Sequence, residues 1–73
     1  MATYPAAQGS REGCKVGWLF FENKETAYEA AEIAKQEAIR KGDLGYDFGY
    51  QVPGSVSVMR AGQYEGMFEV CIP

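Results

Sequence analysis

Apolar positions fall into four runs, three alternating and one of helical period, separated by polar or glycine-rich stretches. Between Cys14 and Phe21 they alternate. Val16, Trp18 and Phe20 share one face, and Lys15, Gly17, Leu19 and Phe21 share the other. Both faces gain large apolar groups by the end of the run, which predicts a strand covered by a helix on one side and partly covered on the other. From Lys24 to Lys41 the period becomes helical. Ala27, Ala30, Ala31, Ala34 and Ala38 cluster on one face, flanked by Tyr28 and Ile39 on one side and Ile33 on the other. Glu25, Glu29, Glu32, Gln36 and Arg40 take the opposite, wet side. Asn23 offers an N-cap, with Thr26 to Glu29 as a competing capping box. Glu37 and Lys41 form an i,i+4 pair, and Gly42 is placed to end the helix. A face of alanines lets a helix approach a sheet closely, so the sheet must supply the bulk, and Trp18 and Phe20 are expected to do so.

Two more alternating runs follow. Ser55–Arg60 points Val56 and Val58 inward, and Met67–Ile72 points Phe68, Val70 and Ile72 inward. Ala61–Gly66 joins them as a hairpin loop longer than the tight two-residue kind. If the first and second of these three strands pair or neighbour, a right-handed crossover makes them parallel and the third antiparallel to both. The expected fold is α+β: one helix on a three-stranded sheet, in the order β-α-β-β, over residues 14–73. Residues 1–13 hold no apolar pattern. Ordering them costs about 1–2 kcal/mol per residue with little burial in return, so they are expected to form a flexible, disordered N-terminal tail. Residues 43–54 make a long connection in which glycine alternates with Tyr46, Phe48 and Tyr50. Phe48 is the expected anchor to the core, and Val52-Pro53-Gly54 reads as a turn into the next strand.

Composition narrows the chemistry. With 73 residues there is room for one domain and a small core, and 47% hydrophobic residues exclude disorder of the whole chain. The net charge is −3, and the seven cations are scattered from Arg11 to Arg60, which argues against direct binding of nucleic acid. No histidine is present, removing the commonest general base and metal ligand near neutral pH. Two cysteines without histidine make a poor zinc site, and no phosphate-cradling motif occurs. The helix carboxylates read as a solvated stripe, and Asp43 and Asp47 as turn supports. No enzyme, cofactor or metal is expected. Cys14 and Cys71 fall at the same end of the expected sheet and are expected as reduced thiols. No apolar run approaches the ~18 residues of a membrane span, and no signal-peptide pattern opens the chain. The expectation is a cytoplasmic protein, monomeric when free, with no membrane partner.

Binding chemistry is better represented. Tyr4, Pro5 and Arg11 lie in the leader, and Tyr46, Tyr50 and Tyr64 in glycine-flexed loops. Tyrosine and arginine combine contact area with hydrogen bonding, and they dominate interface hot spots. Tyr4, Pro5, Arg11, Tyr46 and Tyr50 are the candidate protein-binding set.

Length, leader and strand-helix order, opening with Lys15-Val-Gly-Trp-Leu-Phe-Phe21, together give a chain that resembles the small RNA-polymerase-binding transcription regulators of lytic Xanthomonas phages. The likeness spans the whole chain and rests on layout rather than on a motif. It implies a non-enzymatic protein of the host bacterial cytoplasm that docks on the largest subunits of host RNA polymerase near the RNA exit channel. There such a protein inhibits initiation by displacing the specificity factor and promotes antitermination. Residues 1–13 correspond to the family's leader as a segment only. The alternative is a phage inhibitor of another host nucleic-acid-handling or defence complex that also acts by protein–protein binding. Ten acids against seven bases is a weak charge pattern for mimicry of DNA.

Overall fold

The computed structural model describes residues 3–13, 16–41 and 52–73. In chain order the elements are β1 (Gly9–Glu12), β2 (Gly17–Phe21), α1 (Lys24–Lys41), β3 (Val56–Val58) and β4 (Phe68–Ile72). The sheet order is β1-β2-β4-β3, and each neighbouring pair is antiparallel. Strands β2 and β3 therefore run parallel with β4 inserted between them. The fold is α+β, with one helix among the described residues lying on the sheet.

The helix spans the residues that its periodicity predicts. Asn23 is the N-cap: its Oδ1 accepts from the Glu25 N–H at 2.8 Å, and its carbonyl accepts from Ala27 at 3.0 Å. Glu37 and Lys41 pair at 3.1 Å. Ala27, Ala30, Ala31, Ala34 and Ala38 are all buried. The turn before β3 also forms as expected, closed by Ser55 N–H to the Val52 carbonyl at 3.1 Å. Gly54 has φ +91° there, and a Cβ on it would sit 3.2 Å from the Ala31 carbonyl. This is where the chain crosses tightly over α1. Gly42 and Phe48 lie outside the described residues.

Three expectations are corrected. The sheet has four strands rather than three, because residues 9–12 of the leader, expected without fixed structure, pair with β2 from Gly9↔Phe20 to Glu12↔Gly17. Their composition does not ask for a strand. The reason is external: β2 has a second edge whose backbone N–H and C=O groups need partners, and the leader is the segment at hand.

The second correction concerns β2's faces. Leu19 and Phe21, not Trp18 and Phe20, look toward the helix. Pairing with β4 decides this, because Leu19 stands opposite Val70 and Phe21 opposite Phe68, and residues directly opposite share a face. Val70 and Phe68 face α1, as their own alternation predicts. The first core is thus Phe21, Ala27, Ala30, Ala31 and Val70, with Leu19, Val56, Phe68, Ile72, Tyr4 and Ala7 packed on it. Trp18, Phe20 and Cys71 form a second core on the far side, covered by Val16, Met59, Tyr64 and Met67. A strand apolar on both faces has no parity of its own, and a one-residue shift exchanges its faces.

Val58 is the third correction. It lies on the helix side of the sheet but at the edge strand, where it remains 54% exposed.

Candidate protein-binding surface

The leader touches both faces of the sheet. On the helix side, half-buried Tyr4 packs against the first core, and its hydroxyl donates to Glu37 Oε2 at 3.2 Å. Burial and then the negative charge of Glu37 push the Tyr4 phenol up to about 12. Glu37 is itself held below the usual carboxylate range, chiefly by its hydrogen bond with Lys41. Pro5 follows, half-buried.

On the far side, β1's register sets Arg11 opposite Trp18. The guanidinium carbon lies 4.4 Å from the centre of the Trp18 ring, and Nη2 reaches Glu69 Oε2 at 3.1 Å. Glu69 belongs to β4, so Arg11 crosses β2 on top of the indole and ties β1 to β4. Its side chain is still 52% exposed. An exposed ion pair contributes about 0–1 kcal/mol and an exposed cation–π contact about 0.5–1. The tie is weak, and Arg11 keeps donors that face solvent. The hairpin between β1 and β2 closes with Gly13 N–H to the Val16 carbonyl at 2.8 Å.

Beside this tie the loop from Met59 to Met67 folds back over the sheet. It is held by Met59 N–H to Met67 O and by Gly66 N–H to Met59 O, both 2.9 Å. This brings the Tyr64 ring flat onto Phe20, centroids 4.3 Å apart and planes within 6°. The ring also presses on β1: a Cβ at Gly9 would stand 2.1 Å from the Tyr64 hydroxyl oxygen. The backbone of β1 comes this close only because residue 9 lacks a side chain. Cys71 lies beneath, and burial, with the charge of Glu69 adding to it, raises its thiol to about 11. Such a thiol is not a nucleophile at neutral pH.

Of the five candidate residues, Tyr4 and Pro5 sit in the leader segment before β1, and Arg11 sits within β1 on the sheet face opposite the one Tyr4 packs on. Tyr46 and Tyr50 lie outside the described residues, as does Cys14, so its placement at the same end of the sheet as Cys71 does too. Tyr64, one of the loop tyrosines of interface type, builds the surface around Arg11 together with Trp18 and Glu69, which the sequence reading does not pick out for binding. Glu69 carried a signal: flanked by inward Phe68 and Val70, it must face away from the helix. Trp18 had none without β2's parity, and for Tyr64 the loop composition gave a signal but not its seat on Phe20, which depends on the loop's path. Among the described residues no group of three acidic, cysteine or histidine side chains could hold a metal. Nor is any described helix long and apolar enough to cross a membrane.

Comparison of the chain with family models, characterised proteins and solved structures finds no match in any of the three.

Proposed function

We propose that this protein is a non-enzymatic regulator that binds bacterial RNA polymerase, as the likeness of the whole chain to the phage regulators implies. The observation that carries the reading furthest is the leader itself. It lies on the sheet as an edge strand and presents a half-exposed arginine above a tryptophan, held by contacts of modest strength. Arginine, tryptophan and tyrosine side by side are the composition of an interface hot spot. Exposed Glu25, Glu29 and Glu32 on α1 and the net charge of −3 favour encounter with a basic surface, such as those with which a polymerase handles nucleic acid. In this reading the protein docks on the largest subunits near the RNA exit channel, displaces the specificity factor and promotes antitermination.

Titration calorimetry of the full-length protein against core polymerase tests the reading. Arg11→Ala should weaken binding by about 1–2 kcal/mol while the melting temperature moves little. Removing residues 1–13 is a poorer test, because it would also unpair β2 and uncover Trp18. Failure of the full-length protein to bind core polymerase would end the proposal, and unchanged affinity for the Arg11 variant would move the interface off the leader.

A further inference from the structure

The two edges of the sheet are built differently. At β1, Arg11 and Glu12 put charge into the strand, a common guard against pairing with another chain. At β3 the strand is Val56-Ser57-Val58, without a charge. Cys71 N–H bonds the Ser55 carbonyl at 3.1 Å, Met59 N–H bonds the Met67 carbonyl at 2.9 Å, and Ser57 stands opposite Glu69. In an antiparallel ladder this alternation turns the N–H and C=O groups of Val56 and Val58 away from β4, toward the side on which no strand among the described residues pairs.

The helix flank on the same side is unusual too. Lys24, Tyr28, Lys35 and Ile39 form one stripe, because residues eleven apart return to the same angle after three turns. Lys35 fixes where that stripe points: its Cβ is the nearest side-chain atom to a Cβ built on Gly54, at 3.1 Å, and Gly54 leads into β3. Tyr28, Ile39 and Val58 are the exposed large hydrophobic side chains among the described residues, at 53%, 49% and 54%. All three therefore lie toward the β3 side. Lys24, with its ammonium 5.9 Å from the Tyr28 ring, Lys35 and exposed Arg60 rim the patch, and none of the three enters an ion pair among the described residues.

The geometry points to the β3 edge as a docking site for an extended acidic segment of a partner protein, added to the sheet as a fifth strand. The partner's backbone would pair with Val56 and Val58, its apolar side chains would cover Val58 and Tyr28, and its carboxylates would meet Lys24, Lys35 and Arg60. A second copy of this chain fits worse, because pairing two β3 edges about a twofold axis would crowd six cations together. Nucleic acid would use the cations and Tyr28 but leave the strand edge and the valine unused. The inference is independent of the polymerase reading and stands or falls without it.

The test is titration of isotope-labelled full-length protein with a capped peptide of about nine residues alternating valine and glutamate, followed by amide spectra and hydrogen exchange. Expected are shifts centred on residues 56–60 and on Tyr28, with exchange of the Val56 and Val58 amides slowed by about tenfold or more. The same peptide with lysine for glutamate should bind at least about tenfold more weakly, and Arg60→Glu should weaken the acidic peptide by a similar factor. Val58→Glu, a guard charge of the sign that repels an acidic strand at an exposed position, should abolish strand addition while leaving the melting temperature unchanged. Absence of binding by the acidic peptide, equal binding of both peptides, shifts centred on β1, or tighter binding of a short single-stranded DNA would each overturn the proposal.

Discussion

Gly9 is a single residue on which two parts of the molecule depend. It is strand backbone, and it is also the floor beneath Tyr64. A methyl group there would drive the Tyr64 ring off Phe20, forfeiting a stacking contact of about 0.5–1.5 kcal/mol beyond the area that it buries. Gly9→Ala should therefore destabilise the fold by about 1 kcal/mol. In a Tyr64→Ala background the obstacle is gone, and the same substitution should become neutral or stabilising, because alanine restricts the unfolded chain more than glycine does. Denaturant midpoints of the four proteins in that cycle check the change of sign. An unchanged cost in both backgrounds would show that Tyr64 is not what residue 9 accommodates.

The helix as an element owes its position to small side chains. Ala30, Ala34 and Ala38 are fully buried, so α1 can lie directly on Leu19, Phe21, Val56 and Val70 without interleaved bulk of its own. A branched side chain in that seam has nowhere to go except by lifting the helix. Ala34→Leu should cost about 1–3 kcal/mol. Ile39→Ala, on the half-exposed flank, should stay within about 0.5 kcal/mol of the parent. Chemical denaturation of the two variants gives the comparison, and a larger loss at Ile39 than at Ala34 would reverse the orientation assigned to the helix.

At the scale of the whole molecule, two cores share one thin sheet, and each contains a group that resists ionisation. Cys71 is raised from 9.0 to about 11 and Tyr4 from 10.0 to about 12, so in both cases the fold holds the neutral form. The stability they contribute is complete below the unfolded pKa values and is lost as pH climbs through the folded ones. Thermal stability should be level near neutrality, decline above pH 9 as Cys71 is driven to ionise, and fall more steeply above pH 10 as Tyr4 joins it. Glu37, shifted downward, acts at the other end, with its contribution fading as pH drops below 4.5. Melting curves of the parent and of Tyr4→Phe from pH 8 to 12 should diverge only in the upper part of that range. Parallel curves would place Tyr4 in solvent.

Much of this architecture is written in local pattern. The helix, its Asn23 cap, its buried alanine seam, the Val52–Gly54 turn and the inward set of β4 all follow from periodicity and capping chemistry, because each depends on neighbours within a few residues. What tertiary structure decided was pairing. Residues 9–12 have no strand pattern, and only the open edge of β2 gives their backbone partners. Trp18 and Phe20 could face either way, because β2 is apolar on both sides and only its register with β4 chooses. The surface around Arg11 follows from both decisions, since it needs β1 beside Trp18 and Glu69 beyond it. Local pattern sets which segments can be strands or helix. Which edges meet, and in which register, depends on contacts between residues far apart in the chain, and a single sequence does not encode those in any short window.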